Sequence, residues 1–323
     1  SVWNRLEMDF INNKRTLPEN IEQDIDSLFI LAEKDCRDLE ATAISFTDSL
    51  TGKTLQHFFL LASAVASQPK HSIRLNDLYA RIRTAMKRQS QHWNINDINA
   101  RNQLYKALYG MRAAVEEVAL QDSSGAYDVI IGKDEHAATP FTHILGLKVH
   151  SGDLLVSRGG AEVSAFISRG NDYPGNFSHV ALIFIDEKTK QSYLVESHIE
   201  KGVAVSSVED YIKDKKLRFM VLRPRFDLPE LRADSLLPQH AARFAFEEAH
   251  RRHIPYDFKM NYYDSSAMFC SEVGSYAYKK YGLQLWKPVS SISSTGVSNW
   301  LHNFGVEYFV TQMPADLEYD PQL

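Results

Sequence analysis

The chain has 323 residues, 44% hydrophobic and 24% charged, with a formal net charge of −5, the composition of a protein with a core rather than of a collagenous, mucin-like or disordered chain. Two cysteines exclude a disulfide framework, a Cys-rich zinc module and an iron–sulfur cluster, and the acidic balance excludes a general attraction to nucleic acid or anionic lipid. At roughly 100–200 residues per domain the length implies two domains, or one with a large elaboration.

A first residue of Ser1 rather than Met is the expectation for a processed or trimmed chain whose targeting segment lies outside it. From Val2 to about Val118, Leu28, Leu31, Ala32 and Leu39, and then Leu75, Leu78, Tyr79 and Ile82, recur at helical spacing and predict about four or five helices. Pro18-Glu19 reads as a helix start, Thr51-Gly52 as a break, and Asn76 or Asp77 as a cap. The apolar run from Phe58 to Ala66 is too short for a bilayer core, which needs about 20 helical residues, so a buried helix is expected and no transmembrane segment. Arg81, Arg83, Lys87 and Arg88, with Trp93 nearby, read as a solvated helix face, with an anionic polymer or membrane as the alternative partner. Between Gln121 and Pro140 the composition turns to Ser, Gly, Asp and His, with a turn expected at Ser123-Ser124-Gly125. The expected organisation is therefore a helical domain over 1–120, a linker over 121–140 and a second domain over 141–323.

After Pro140 the period changes. Asp153–Ser157, His179–Ile185, Ser192–Glu196 and Arg218–Leu222 are short, apolar and β-branched, and predict strands, the second and third joined through Asp186–Lys190 as an antiparallel hairpin. Leu236–His253 and Cys270–Tyr281 read as helices, the latter ended by Gly282. The fold class is α+β: a domain with a central antiparallel sheet behind an all-α domain. His250 and His253 have an i, i+3 spacing, but no third ligand is near and two arginines intervene, so a cationic helix end is expected rather than a metal site. No GxSxG elbow, Walker loop, GxGxxG fingerprint or HExxH helix occurs, and no cofactor or metal is expected.

Cys270 opens a predicted helix, where exposed N–H groups and the positive end of the dipole stabilise a thiolate; the alternative is a small buried hydrophobe. A thiolate nucleophile needs a proton shuttle and an orienting partner. His179 opens one strand of the predicted hairpin and Glu196 closes the next, so the two side chains can be neighbours, or else both are solvated strand ends.

Ser151-Gly152-Asp153-Leu154-Leu155, Phe177-Ser178-His179-Val180-Ala181, Leu194-Val195-Glu196, Pro255-Tyr256-Asp257 and Phe269-Cys270-Ser271-Glu272 together resemble the ordered signature of the circularly permuted branch of the NlpC/P60 papain-like superfamily, and within it the YiiX/YaeF-like permuted amidases. The resemblance spans roughly Val149 to Leu283, and His179 stands 91 residues before Cys270, the order that permutation requires. It implies a permuted papain-like fold and a cysteine hydrolase with Cys270 as nucleophile, His179 as general base and then acid, and Glu196 as the group orienting the imidazole. Tyr256 would join the Cys270 N–H in stabilising the oxyanion; read alone, it is a turn aromatic after Pro255. Gly152-Asp153 would mark a turn into the first core strand.

Two features depart from the pattern. His198 follows close on Glu196 and either competes as the third polar group or sits on the opposite face. The segment from Arg158 to Asn176 is long, with Gly159-Gly160 and Gly170 permitting a flap and Phe166-Ile167 lining a groove or packing. The resemblance implies cell-wall peptide or a related amide as substrate, a bacterial origin and an extracytoplasmic or periplasmic location. A lipid-directed acyl hydrolase or acyltransferase using the same triad is the alternative, for which Phe177, Tyr262, Tyr263, Phe269 and Trp286 speak. A non-catalytic binding protein on a papain-like scaffold is the second alternative. A nucleic-acid partner is not expected, and the oligomeric state is open.

Overall fold

In the first part of the chain, six α-helices follow one another: α1 (Val2–Arg15), α2 (Pro18–Ala41), α3 (Ser49–Ser67), α4 (Ser72–Ser90), α5 (Ile98–Leu104) and α6 (Met111–Gln121), with a π-helical turn Tyr105–Gly110 before α6. The computed structural model describes residues 2–15, 18–122, 130 and 132–323; the turn expected at Ser123-Ser124-Gly125 lies outside the described residues. Contacts divide the chain into two units, Ser1–Asp134 and Glu135–Leu323.

The helical unit is built on apolar stripes. On α2 the buried residues are Ile21, Ile25, Phe29, Ala32, Cys36 and Leu39, spaced by three and four, whereas Leu31 of the expected stripe is exposed. On α4 all four expected positions, Leu75, Leu78, Tyr79 and Ile82, are buried. Two boundaries differ from expectation. The break before α3 falls ahead of Ser49, because the Asp48 carboxylate accepts the Leu50 N–H at 2.8 Å and caps the helix there; Thr51-Gly52 lies in its first turn. Likewise α4 starts at Ser72, directly after the 3₁₀ turn Pro69–His71, so Asn76 and Asp77 are interior. Phe58, Leu61 and Val65 of α3 are buried, and no helix among the described residues is long and apolar enough to cross a membrane. The basic stretch does not form an aromatic-flanked face: Trp93 is buried with its indole N–H on the Ile44 carbonyl at 2.8 Å, and Arg81 pairs with Glu40 at 2.9 Å.

The second unit opens with a hairpin absent from the expected elements, β1 (Phe141–Ile144) and β2 (Leu147–His150), closed by Leu145 and Gly146, both at positive φ as a two-residue hairpin turn requires. Then come β3 (Leu154–Gly159), α7 (Glu162–Arg169), β4 (His179–Ile185), β5 (Ser192–His198), β6 (Gly202–Ser207), α8 (Val208–Lys213), β7 (Lys216–Leu222), α9 (Pro229–Ala233), α10 (Leu237–Arg251), α11 (Cys270–Lys279), β8 (Ser290–Ser291), α12 (Thr295–His302) and β9 (Val310–Thr311). Strands β6-β5-β4-β3-β7 form one antiparallel sheet in that order. The predicted β4–β5 hairpin is present, its turn held by the Asp186 carboxylate accepting the N–H groups of Lys188 and Thr189 at 2.8 and 2.7 Å. Ala241, Ala245, Val273 and Ala277 of α10 and α11 share one core cluster with Leu154 and Leu182 of the sheet. Ile144, Val149 and Tyr211 cluster with Leu155, Ala181 and Ile183 of the alternate strand positions. Gly152-Asp153 is structural: the Asp153 carboxylate accepts the His150 N–H at 2.8 Å and takes two bonds from the Arg223 guanidinium, each 2.9 Å.

Candidate active site

Register brings the first two side chains together. On the β4–β5 ladder Glu196 is the partner of Ala181, so His179, two residues earlier on β4, lies diagonally across from it on the same face. His179 Nε2 stands 2.7 Å from Glu196 Oε2. Glu196 is only 3% exposed, and its other oxygen is also engaged: the Ser206 hydroxyl donates to Oε1 at 2.7 Å, and His198 Nε2 lies 3.3 Å from it.

Cys270 is the first residue of α11, where backbone N–H groups have no acceptor within the helix. The Glu272 carboxylate accepts the Phe269 N–H at 2.7 Å and so fixes the entry to the helix. Neighbouring strands hold the approach. The Ser197 hydroxyl, on the face of β5 opposite Glu196, donates to the Met268 carbonyl at 2.6 Å; Met268 N–H donates to Pro255 at 2.9 Å; and Val203 N–H donates to Ile254 at 2.9 Å. That last contact needs Gly202, which adopts φ +72° and where an added Cβ would lie 2.1 Å from the Ile254 carbonyl oxygen. Tyr256 is thereby carried on a segment clamped between the start of β6 and the residues before Cys270.

Cys270, His179, Glu196 and Tyr256 all line one cleft of about 480 Å³, together with His198. The structure thus brings together every residue singled out for chemistry in the sequence. His198 is on the same face as Glu196, not the opposite one, because strand side chains repeat every two residues and it is Ser197 that points away. Its ring stacks on His179 with centroids 5.7 Å apart. The spacing Glu196-Ser197-His198 on a strand was the signal that could have found it.

Electrostatics divide the groups. For His179, burial works against the charged form, yet hydrogen bonds to Cys270 and Glu196 outweigh it and raise the imidazole to about 10. For Cys270, burial favours the thiol, but the hydrogen bond and positive charge of His179, with the Val180 N–H, lower it below the ordinary thiol range. Burial would likewise raise Glu196, and its bonds from His179, His198 and Ser206 hold it well below the usual carboxylate range. Burial raises Tyr256 above the ordinary phenol range, and the nearby charge of Cys270 adds to this, so its hydroxyl remains a donor. An ionised Glu196 only accepts, which puts a proton on Nε2 of both histidines and leaves His179 Nδ1 for Cys270.

Other residues named in the sequence fall elsewhere. The segment from Arg158 to Asn176 contains α7, whose Val163 and Ile167 line the cleft, while Phe166 packs on Trp300 with ring centroids 4.8 Å apart. Phe177, Phe269 and Trp286 are core residues, and Tyr262 and Tyr263 lie against each other; none of the five lines the cleft. His250 bonds the Phe246 carbonyl, His253 lies beyond the end of α10, and among the described residues no group of three or more His, Cys, Asp or Glu could hold a metal ion.

Residues 148–323, more than half of the chain, match a family described as permuted papain-like amidase enzyme, YaeF/YiiX, C92 family. A crystal structure titled as that of the metalloprotein yiiX from Escherichia coli O157:H7 aligns at 19% identity over 54% of this chain and 94% of that one, with a TM-score of 0.42. No curated protein matches the chain.

Proposed function

The chain belongs to the permuted papain-like amidases, and from that premise we propose that it cleaves an amide through a thioester on Cys270, with His179 as proton shuttle and Glu196 as its orienting group. The observation that carries this reading is the doubly engaged imidazole: Nε2 is 2.7 Å from a buried carboxylate while the other nitrogen serves Cys270 at a helix start. The Cys270 thiolate attacks the amide carbon and the carbonyl oxygen becomes an oxyanion. Tyr256 Oη–H and the Cys270 backbone N–H donate to it, each such donor typically giving about 10²–10³ in rate. The imidazolium passes its Nδ1 proton to the departing amine as the C–N bond breaks. Neutral His179 then takes a proton from water, hydroxide adds to the thioester carbon, and the acid leaves as the thiolate and imidazolium are restored.

The cleft supports a peptide-like amide, with Glu200, Asp214 and Lys216 in its walls to meet charged groups. A cell-wall peptide is the substrate we assign, and with it work outside the cytoplasm. A second reading rests on Val163, Ile167 and Ile199, which also line the cleft and suit an acyl chain. Mass spectrometry of the wild type and Cys270→Ala, each incubated with muropeptides and with phospholipids, tests both. A muropeptide-derived acyl adduct on Cys270 supports the first reading and a fatty-acyl adduct the second. Turnover retained by Cys270→Ala would refute both.

A further inference from the structure

The part of the site that the proposed reaction leaves unused is His198. It is the third residue of a run in which Glu196 and His198 share a strand face, and it occupies the cleft wall with its side chain 30% exposed. Its Nε2 is 3.3 Å from Glu196 Oε1, the oxygen that Ser206 also holds at 2.7 Å, and its ring lies against His179 at 5.7 Å and 29°. One carboxylate therefore carries two imidazoles on separate oxygens. Without donors on Oε1, the Glu196 side chain could rotate about its last bond and exchange the oxygen offered to His179; with Ser206 and His198 both bound, that rotation breaks two hydrogen bonds. The ring contact adds a second restraint, since His179 cannot swing toward β6 without displacing His198.

We infer that His198 is a positioning residue: by donating Nε2–H to Glu196 Oε1 and packing on the His179 ring, it holds the His179–Glu196 pair in the orientation that serves Cys270. The inference rests on the proposed role of Cys270 and is separable from it. His198 Nδ1 carries no proton in this arrangement and faces no acceptor requirement, so the residue acts through Glu196 and His179 rather than on the bond cleaved.

The test uses iodoacetamide, which reads the reactivity of Cys270 without knowledge of the substrate, followed by peptide mapping on the full-length protein. In His198→Ala the alkylation of Cys270 at about pH 6 should slow about five-fold, as expected for loss of one hydrogen bond to a charged group. His198→Gln, which keeps an N–H donor within reach of Oε1, should recover to within about two-fold of the wild type. Thermal midpoints of both variants identify any loss that comes from unfolding, and the Gln variant carries the test if the Ala variant melts early. Equal, wild-type rates in both variants overturn the inference. So does an equal fall in both, which would place the effect in the ring alone and not in the donor. If Cys270 of the wild type alkylates no faster than Cys36, the reading of the site falls and this inference with it.

Discussion

Cys36 and Cys270 are both free and both buried, at 0% and 7% exposure, and they end in opposite chemical states. Cys36 sits inside α2 in the apolar stripe, with Sγ 3.7 Å from Glu40 Oε1; burial, reinforced by that negative charge, pushes its thiol up to about 11. At Cys270 burial acts in the same direction and is overcome by His179 and the Val180 N–H. Burial therefore does not separate an inert thiol from a reactive one. What separates them is a cation supplied at the right place, and that cation exists because a carboxylate buried behind it cannot be neutralised cheaply.

The contrast can be broken from its strongest side first. Cys270→Ala and His179→Ala should each cost about 10⁶ in turnover with the melting temperature retained, by analogy with knocking out one member of a hydrolytic triad. Glu196→Gln should cost less, about 10⁴, because an orienting group is partly replaceable; a larger loss than in His179→Ala would reverse the two roles. Tyr256→Phe, which removes one oxyanion donor, should cost about 10² in kcat with little change in KM.

A smaller effect concerns pH. His179 is raised, so the stability it contributes is complete below the ordinary imidazole range and is lost as pH rises through about 10. In Cys270→Ser the thiolate partner is gone and His179 should fall, so the alkaline loss of thermal stability should begin at lower pH than in the wild type. Glu196 is lowered, so its contribution holds above the usual carboxylate range and is lost only in strong acid. Least of all, Cys36→Ser should leave turnover within about two-fold and cost about 1–2 kcal/mol of stability for a polar group in an apolar stripe. A large loss of activity there would erase the distinction between the two thiols.

Much of the second unit could be read from its sequence because its signals are local. The run His179–Ile185 begins and ends as a strand where the apolar β-branched run does, and Cys270 opens α11 as its neighbours suggest. Elements whose cause is tertiary were less legible. Strand β6 has half-buried positions and is specified by pairing with β5, and α7 has one fully buried residue, Ser168, so neither shows a clean period. Leu31 fits a helical spacing yet faces outward, while Cys36 completes the stripe that Leu31 does not. At the site, the residue types and their order were legible; the second histidine on Glu196 required a strict count of two along β5.

The clamp on Tyr256 has a consequence for how the cleft can vary. Because Gly202 lets the Ile254 carbonyl pass where a side chain would stand, the tyrosine's distance from the thiol is set by backbone against backbone, with no side chain in between to repack. Substitutions on the cleft walls can therefore reshape what is admitted without moving this donor, whereas a single methyl group at residue 202 would displace it and leave every wall residue unchanged.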